Sequence, residues 1–228
     1  ESKVSVKDNS VLFLDLSRPI TEFAVEDPLS ELPIFNSSDM PVGLVQLKEA
    51  IANAKSDDKI EGIYLSAGYV NAGYAIVEDV RNALADFKAS GKFIYAFNNY
   101  YDEKAYYLAS VADSVFLHPN GDVEFNGINA NLIFFKKALD KLGVEPQIFR
   151  VGDYKSAVEP FMREDMSEAN RLQVSSYINS INGYLVNKIA DTRGISSVEL
   201  MEISNKMKIR KSQDAVDYGL VDGLFYKD

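Results

Sequence analysis

"IEGIYLSAGYVNAGYAIVEDVRNALADFKASGKFIYAF" occupies residues 60–97. An apolar run at 60–65 comes first, then a turn holding Gly68 and Gly73. Ala75, Val77, Val80, Leu84 and Phe87 follow at steps that place them on one side of a helix, and Ser90-Gly91 ends it. A second apolar run fills 92–97. Short apolar runs bounded by turn residues read as buried strands. Strand, helix and strand in that order predict two parallel strands joined by a right-handed crossover.

Working outward, the same alternation extends in both directions. Upstream, "VLFLDL" (11–16) reads as a buried strand, and Leu44, Leu47, Ile51 and Ala54 predict a helix to about residue 56, with Pro41 suited to its first turn. Between them lies a long polar loop, 17–40, with Pro19, Pro28 and Pro33. Loops of that length inside a compact domain usually carry function or move. Downstream, the pattern predicts a helix at 102–112, a short strand at 114–117, a helix at 133–142 ended by Gly143, and a strand at 147–151. The character then changes. Ser167 is placed to cap a long helix with Leu172, Ser176, Ile178, Ile181, Leu185 and Ile189 on its buried side. Ser196 and Glu199 form a capping-box pair, and Gly219 stops a short helix at 212–218. The expectation is one α/β domain over 1–228, with a mainly helical region at 167–228 that packs on the sheet layer or on another subunit.

Composition narrows the function. At 46% hydrophobic and 25% charged residues, the chain can bury a core. Its formal charge of −10 argues against nucleic acid as a partner, because phosphate binding needs a basic face. There is no cysteine, hence no disulfide, thiol nucleophile or thiolate metal site. No apolar run reaches the ~18 residues of a bilayer span. The single histidine, His118, lies in "FLHPNG" (116–121), which reads as a strand end entering a solvated turn. A Ser-His-Asp triad or a two-histidine zinc site would depend on it. Hydrolysis by this chain would therefore more economically use a lysine base. No metal and no cofactor is expected. The chain opens at Glu1-Ser2-Lys3 without an initiator methionine, as expected for a piece of a longer protein.

Two segments follow strand ends, where open α/β sheets bind ligands. Residues 66–73, "SAGYVNAG", offer a glycine turn before a helix, but match no nucleotide fingerprint. An ordinary strand-to-helix turn is the stronger reading of them. The other is "VGDYKSAVEPF" (151–161), with Lys155 among mostly uncharged neighbours. Tyr154, Ala157, Val158, Phe161 and Met162 could shield the amine, and burial would disfavour its charge. A lysine that is neutral at pH 7 requires about 4 kcal/mol of such destabilisation, which implies a second apolar surface closing over it. On residue chemistry alone, a solvated surface lysine is the stronger reading. Adjacent Ser156 diverges from Lys155 and makes a poor dyad partner. Glu159 precedes Pro160, which biases it out of the α region and towards a surface or ion-pairing role. The dense tyrosines at 95, 100, 101, 106 and 107 suit core and interface packing.

"RVGDYKSAVEPFMREDMSEANR" (150–171) resembles the amino-terminal half of the long form of the signal peptide peptidase A (protease IV) family, as do "IEGIYL", "ALADFKASGKFIYAF", "YYLASVADSVFLHPNGDVEFNGI" and "KKALDKLGVEPQIFRVG". The resemblance covers the chain from about residue 43. It implies a crotonase/Clp-protease-like fold of stacked βαβ units with a helical carboxy-terminal region. It also implies a Ser/Lys-dyad endopeptidase that degrades cleaved signal peptides, with Lys155 as general base. The family's serine lies in a homologous carboxy-terminal half. The matching stretch here is 104–110, and Lys104 stands at the serine's place. The resemblance thus implies a half that lends its base to another domain, with that domain and an amino-terminal membrane helix lying outside these residues. It implies a homo-oligomer, a tetramer in the full-length family, on the bacterial inner membrane facing the periplasm, and an inactive isolated fragment. Two other readings stay open: a non-catalytic assembly module of the same enzyme, and a crotonase-like acyl-CoA enzyme. Against the latter, no acid accompanies the glycine turn and little basic surface is available for nucleotide phosphates.

Overall fold

A computed structural model describes residues 6–23, 40–149, 152 and 155–227. The chain divides into two compact units, residues 1–126 with 188–228, and residues 127–187.

The first unit is built on a five-stranded sheet. Its strands are β1 (Ser10–Asp15), β4 (Ile60–Ser66), β5 (Phe93–Tyr101), β6 (Ser114–Val123) and β7 (Gly223–Leu224), in that spatial order. Every neighbouring pair is parallel. A separate parallel pair is formed by β2 (Ile20–Thr21) and β3 (Val42–Gly43). The connections are α1 (Leu44–Ser56), α2 (Tyr74–Lys88) and α3 (Glu103–Ala109). The strand–helix–strand reading of 60–97 therefore holds, and the α1 and α2 stripes are buried at the positions their spacing indicated. Pro41 precedes β3 instead of opening α1. Of the long loop, residues 17–23 contain β2, and 24–39 lie outside the described residues.

Alternation separates the two faces of the sheet. Ile63 and Leu65, Ile94 and Ala96, and Val115 and Leu117 point into the core and are fully buried. The opposite face is aromatic. Phe13 stacks on Tyr64 (ring centroids 5.4 Å apart), Phe93 on Tyr95 (4.8 Å), and Phe225 meets Phe116 edge-on (4.9 Å). The Phe93 ring lies over Gly62, where an added Cβ would sit 2.4 Å from it. Parallel sheets are normally covered on both faces. Here Phe13 remains 54% exposed and Tyr95 43%.

His118 lies within β6, not beyond its end. Between Leu117 and Asp122, five steps along β6 answer two along β5, so residues 118–121 bulge outward. An Ala at Gly121 would bring Cβ to 2.5 Å from the Asn99 carbonyl. His118 meets the Tyr226 ring edge-on, and its Nδ1 accepts the Asn120 amide. Tyr101, Tyr106 and Tyr107 are fully buried, and the hydroxyls of the first two donate to the Phe116 and Leu220 carbonyls. β7 carried no sequence signal, being two residues long.

The helix α6 (Glu168–Arg193) runs from the second unit into the first, and α7 (Ser197–Asn205) and α8 (Ser212–Asp217) complete the first. Ser196 caps α7 by accepting the Glu199 amide, one half of the capping box its spacing indicated. Within the first unit, buried Arg81 of α2 donates to the Tyr107 carbonyl, to Ser110 Oγ (2.8 Å), and to the Lys188 carbonyl and Thr192 Oγ1 of α6. That set of acceptors offsets the cost of burying a guanidinium.

The second unit is helical, with α4 (Lys136–Leu142), a 3₁₀ turn (Ser156–Val158), α5 (Glu159–Met162) and the first two-thirds of α6. α4 begins at Lys136, three residues later than its pattern indicated, and the Phe135 amide at its cap donates to the Pro160 carbonyl. The strand expected at 147–151 is absent at 147–149, and 150–151 lie outside the described residues. Phe149 is 93% exposed. An apolar run becomes a strand only where a neighbour accepts its amides, and none of the unit's described residues is in a strand. Of the stripe expected along α6, Leu185 and Ile189 are buried, Ile178 and Ile181 are half-buried, and Leu172 and Ser176 are exposed.

Candidate active site

In the first unit, the carboxyl ends of β4 and β5 converge on the glycine turn. The Asp102 amide donates to the Gly68 carbonyl (2.9 Å), and the Val70 amide donates to Asp102 Oδ2 (3.3 Å). Asp102 Oδ1 also accepts the Ala105 amide and so caps α3. Burial pushes the Asp102 carboxyl above its usual range, against the amides of Ala105 and Val70 and the charge of Lys104. The turn passes close to β5 at Gly68, where an added Cβ would lie 3.1 Å from the Tyr100 carbonyl and the Asn98 side chain, a tight contact.

Lys104 is the second residue of α3. Its Nζ donates to the Ala72 carbonyl (2.7 Å) and lies 4.9 Å from the Tyr74 ring centre. At the place where the resemblance puts a nucleophilic serine, there is a cation that ties α3 to the turn. This corner has the backbone of a strand-end site but no hydroxyl at that position.

Lys155 lies in the second unit, directly before the 3₁₀ turn, with φ −93° and ψ 68°. It is exposed, and its amine makes no hydrogen bond or ion pair with any described residue. Of the side chains expected to shield it, Ala157, Phe161 and Met162 are themselves exposed, Val158 is half-buried, and Tyr154 lies outside the described residues. Seclusion of this amine therefore requires a surface that these residues do not supply.

Glu159 departs most from the sequence reading. It takes the α conformation (φ −57°, ψ −38°) despite preceding Pro160, and it is fully buried. Its Oε1 accepts the Ser167 hydroxyl (2.5 Å), and its Oε2 accepts the Ser167 amide (3.1 Å) and Asn170 Nδ2 (2.9 Å). These bonds compensate the crowding that Pro160 imposes on the backbone before it. Burial pushes the Glu159 carboxyl up, but the Ser167 and Asn170 hydrogen bonds and the nearby Arg163 charge outweigh it and hold the group below its usual range. Ser167 Oγ in turn accepts the Asn170 amide and caps α6. The signal available in the sequence was an acid in an otherwise neutral run, "SAVEPF", eight residues before a Ser-x-x-Asn cap. Among the described residues, no cluster of histidine and acidic groups could hold a metal ion.

A family model described as Peptidase family S49 matches residues 86–228. The chain is similar to Protease 4 of Haemophilus influenzae, 35% identical over 179 residues, which are 77% of this chain and 29% of that protein. Protease 4 of Salmonella typhi is 39% identical over 158 residues, 69% of this chain and 26% of that protein. A chloroplastic serine protease SPPA of Arabidopsis thaliana is 30% identical over 196 residues, 85% of this chain and 28% of that protein. The matched stretch thus spans less than a third of each of these curated relatives.

Proposed function

Because the chain belongs to peptidase family S49, we propose that it forms the amino-terminal part of a serine endopeptidase in which Lys155 is the general base. Its parallel sheet and crossover helices are the Clp-protease/crotonase-like fold of that family. In this reading the serine is brought by a carboxy-terminal domain of the same protein outside these residues. The neutral Lys155 amine takes the proton from the serine hydroxyl as its oxygen attacks the peptide carbonyl. The resulting lysine ammonium gives that proton to the leaving amine as the C–N bond breaks. Water then releases the acyl-enzyme, with Lys155 again accepting a proton. Substrates are cleaved signal peptides, and the enzyme is anchored to the bacterial inner membrane, facing the periplasm, by a helix beyond the described residues.

The observation that carries this reading is the family match across the Lys155 segment, whose exposed amine no described residue engages. The occupation of the strand-end corner by Lys104 supports a serine supplied from elsewhere. In the full-length protein, Lys155→Ala should abolish peptide hydrolysis while expression and assembly persist. Retained turnover would remove the base assignment.

A second role is compatible with the first. The exposed Leu172, Tyr177 and Tyr184 on α6 favour assembly with further copies, a tetramer in the full-length protein. Sedimentation of the full-length protein carrying Leu172→Glu and Tyr177→Glu should then show smaller particles than the wild type.

A further inference from the structure

We infer that Glu159 is a positioning residue for Lys155: by fastening the turn that carries the lysine to the capped start of α6, its carboxylate sets where the amine enters the site. The inference rests on Lys155 being the base. Lys155 stands four residues before Glu159, with no glycine between, and Ser156–Val158 is a 3₁₀ turn continuous with α5. The lysine is thus one tight turn from a fully buried carboxylate. The lysine end of the segment is exposed, and the glutamate end is buried.

The fixing is specific to the direction of α6. Ser167 and Asn170, the cap and first turn of that helix, donate three hydrogen bonds to the Glu159 carboxylate. The segment is held to α4 by other means. The Pro160 carbonyl accepts the Phe135 amide (2.7 Å), the Phe135 and Phe161 rings stack with centroids 5.9 Å apart, and Lys137 pairs with Glu164 (2.9 Å). Loss of the carboxylate therefore releases the Lys155 turn from α6 while leaving it on α4. A base must meet its proton donor within hydrogen-bond reach, and a displacement of about 1 Å can cost about 10²-fold in rate. Such a defect falls on kcat and not on KM.

Glu159→Gln is the test, in the full-length enzyme. It keeps the shape but removes the charge, and its NH2 group either faces the Ser167 amide and Asn170 Nδ2, both donors, or takes the place of the oxygen that accepts the Ser167 hydroxyl. The expected result, measured well below the melting temperature, is a fall in kcat of about 10²-fold with KM within about twofold, and a pH–kcat/KM profile whose acidic limb moves. Ser167→Ala should move both in the same direction by less, and Glu159→Gln with Ser167→Ala should be no worse than Glu159→Gln alone, because the two act as one unit. Lys137→Ala, which breaks an exposed pair on the α4 side, should leave kcat unchanged. A folded Glu159→Gln enzyme with wild-type kcat and pH profile but a lowered Tm would overturn the inference, leaving Glu159 a stabilising group only. If Glu159→Gln does not fold, Ser167→Ala decides by the same two readouts. An inactive Lys155→Ala enzyme beside a normal Glu159→Gln enzyme sinks the positioning role alone, whereas an active Lys155→Ala enzyme sinks the base assignment beneath it.

Discussion

Lys155 and Glu159 divide one short segment between exposure and burial. The lysine has no partner among the described residues, whereas the glutamate is buried and accepts from Ser167 and Asn170. The depressed Glu159 carboxyl has a consequence for stability with pH. A group whose folded pKa lies below its unfolded value stabilises the fold above that unfolded value, near 4.3, and the contribution is lost as pH falls through the folded pKa. Glu159→Gln should therefore lower Tm at pH 7, and the gap to the wild type should close as pH falls below about 4. A gap independent of pH, followed by thermal melts across this range, would mean that charge is not what the site uses. Glu159 was not legible in the sequence because the rule for residues before proline points outward, and the three donors that reverse it lie eight to eleven residues away. Ser167, read as a cap, was legible because a cap is a local matter.

Among elements, those whose signal is contained within one periodic stretch were readable. The stripes of α1 and α2, the strands beside them and the caps of α6 and α7 follow from spacing alone. What the sequence could not convey depends on partners. Residues 147–149 have a strand's composition but no neighbour to pair with, and β7 has almost no composition but has β6 beside it. β7 is held by side chains from far along the chain. Asp222 exchanges backbone and side-chain hydrogen bonds with Val115, and its carboxylate receives Arg193 at the end of α6 in a two-pronged pair (2.8 and 3.0 Å). Arg193 also donates to the Gly219 carbonyl. Burial pushes the Asp222 carboxyl up, and the Arg193 hydrogen bonds and charge with the Val115 amide bring it below its usual range. Arg193→Ala should cost about 2 kcal/mol, since the arginine is nearly buried while the aspartate keeps some water. Hydrogen exchange should localise the loss, with the Asp222 and Phe225 amides exchanging faster and those of β4 unchanged. Uniform acceleration would place the effect on global stability instead.

For the molecule as a whole, the aromatic side of the sheet sets up a contest between two long-known tendencies of proteins. Phe13, Tyr95 and Phe225 present rings to water, while the chain carries a formal charge of −10. Like charge keeps copies apart at low ionic strength, and rings that face solvent draw them together. Salt weakens the first and not the second, because the screening length shrinks from about 30 Å at 0.01 M to about 3 Å at 1 M. Light scattering from the isolated 228-residue chain should accordingly rise as sodium chloride is added, and Phe13→Ser with Tyr95→Ser should flatten that rise. Scattering that falls with salt would point to attraction between opposite charges. The same contest bears on handling: a buffer chosen to mimic a saline compartment is the one in which this chain would be hardest to keep dispersed.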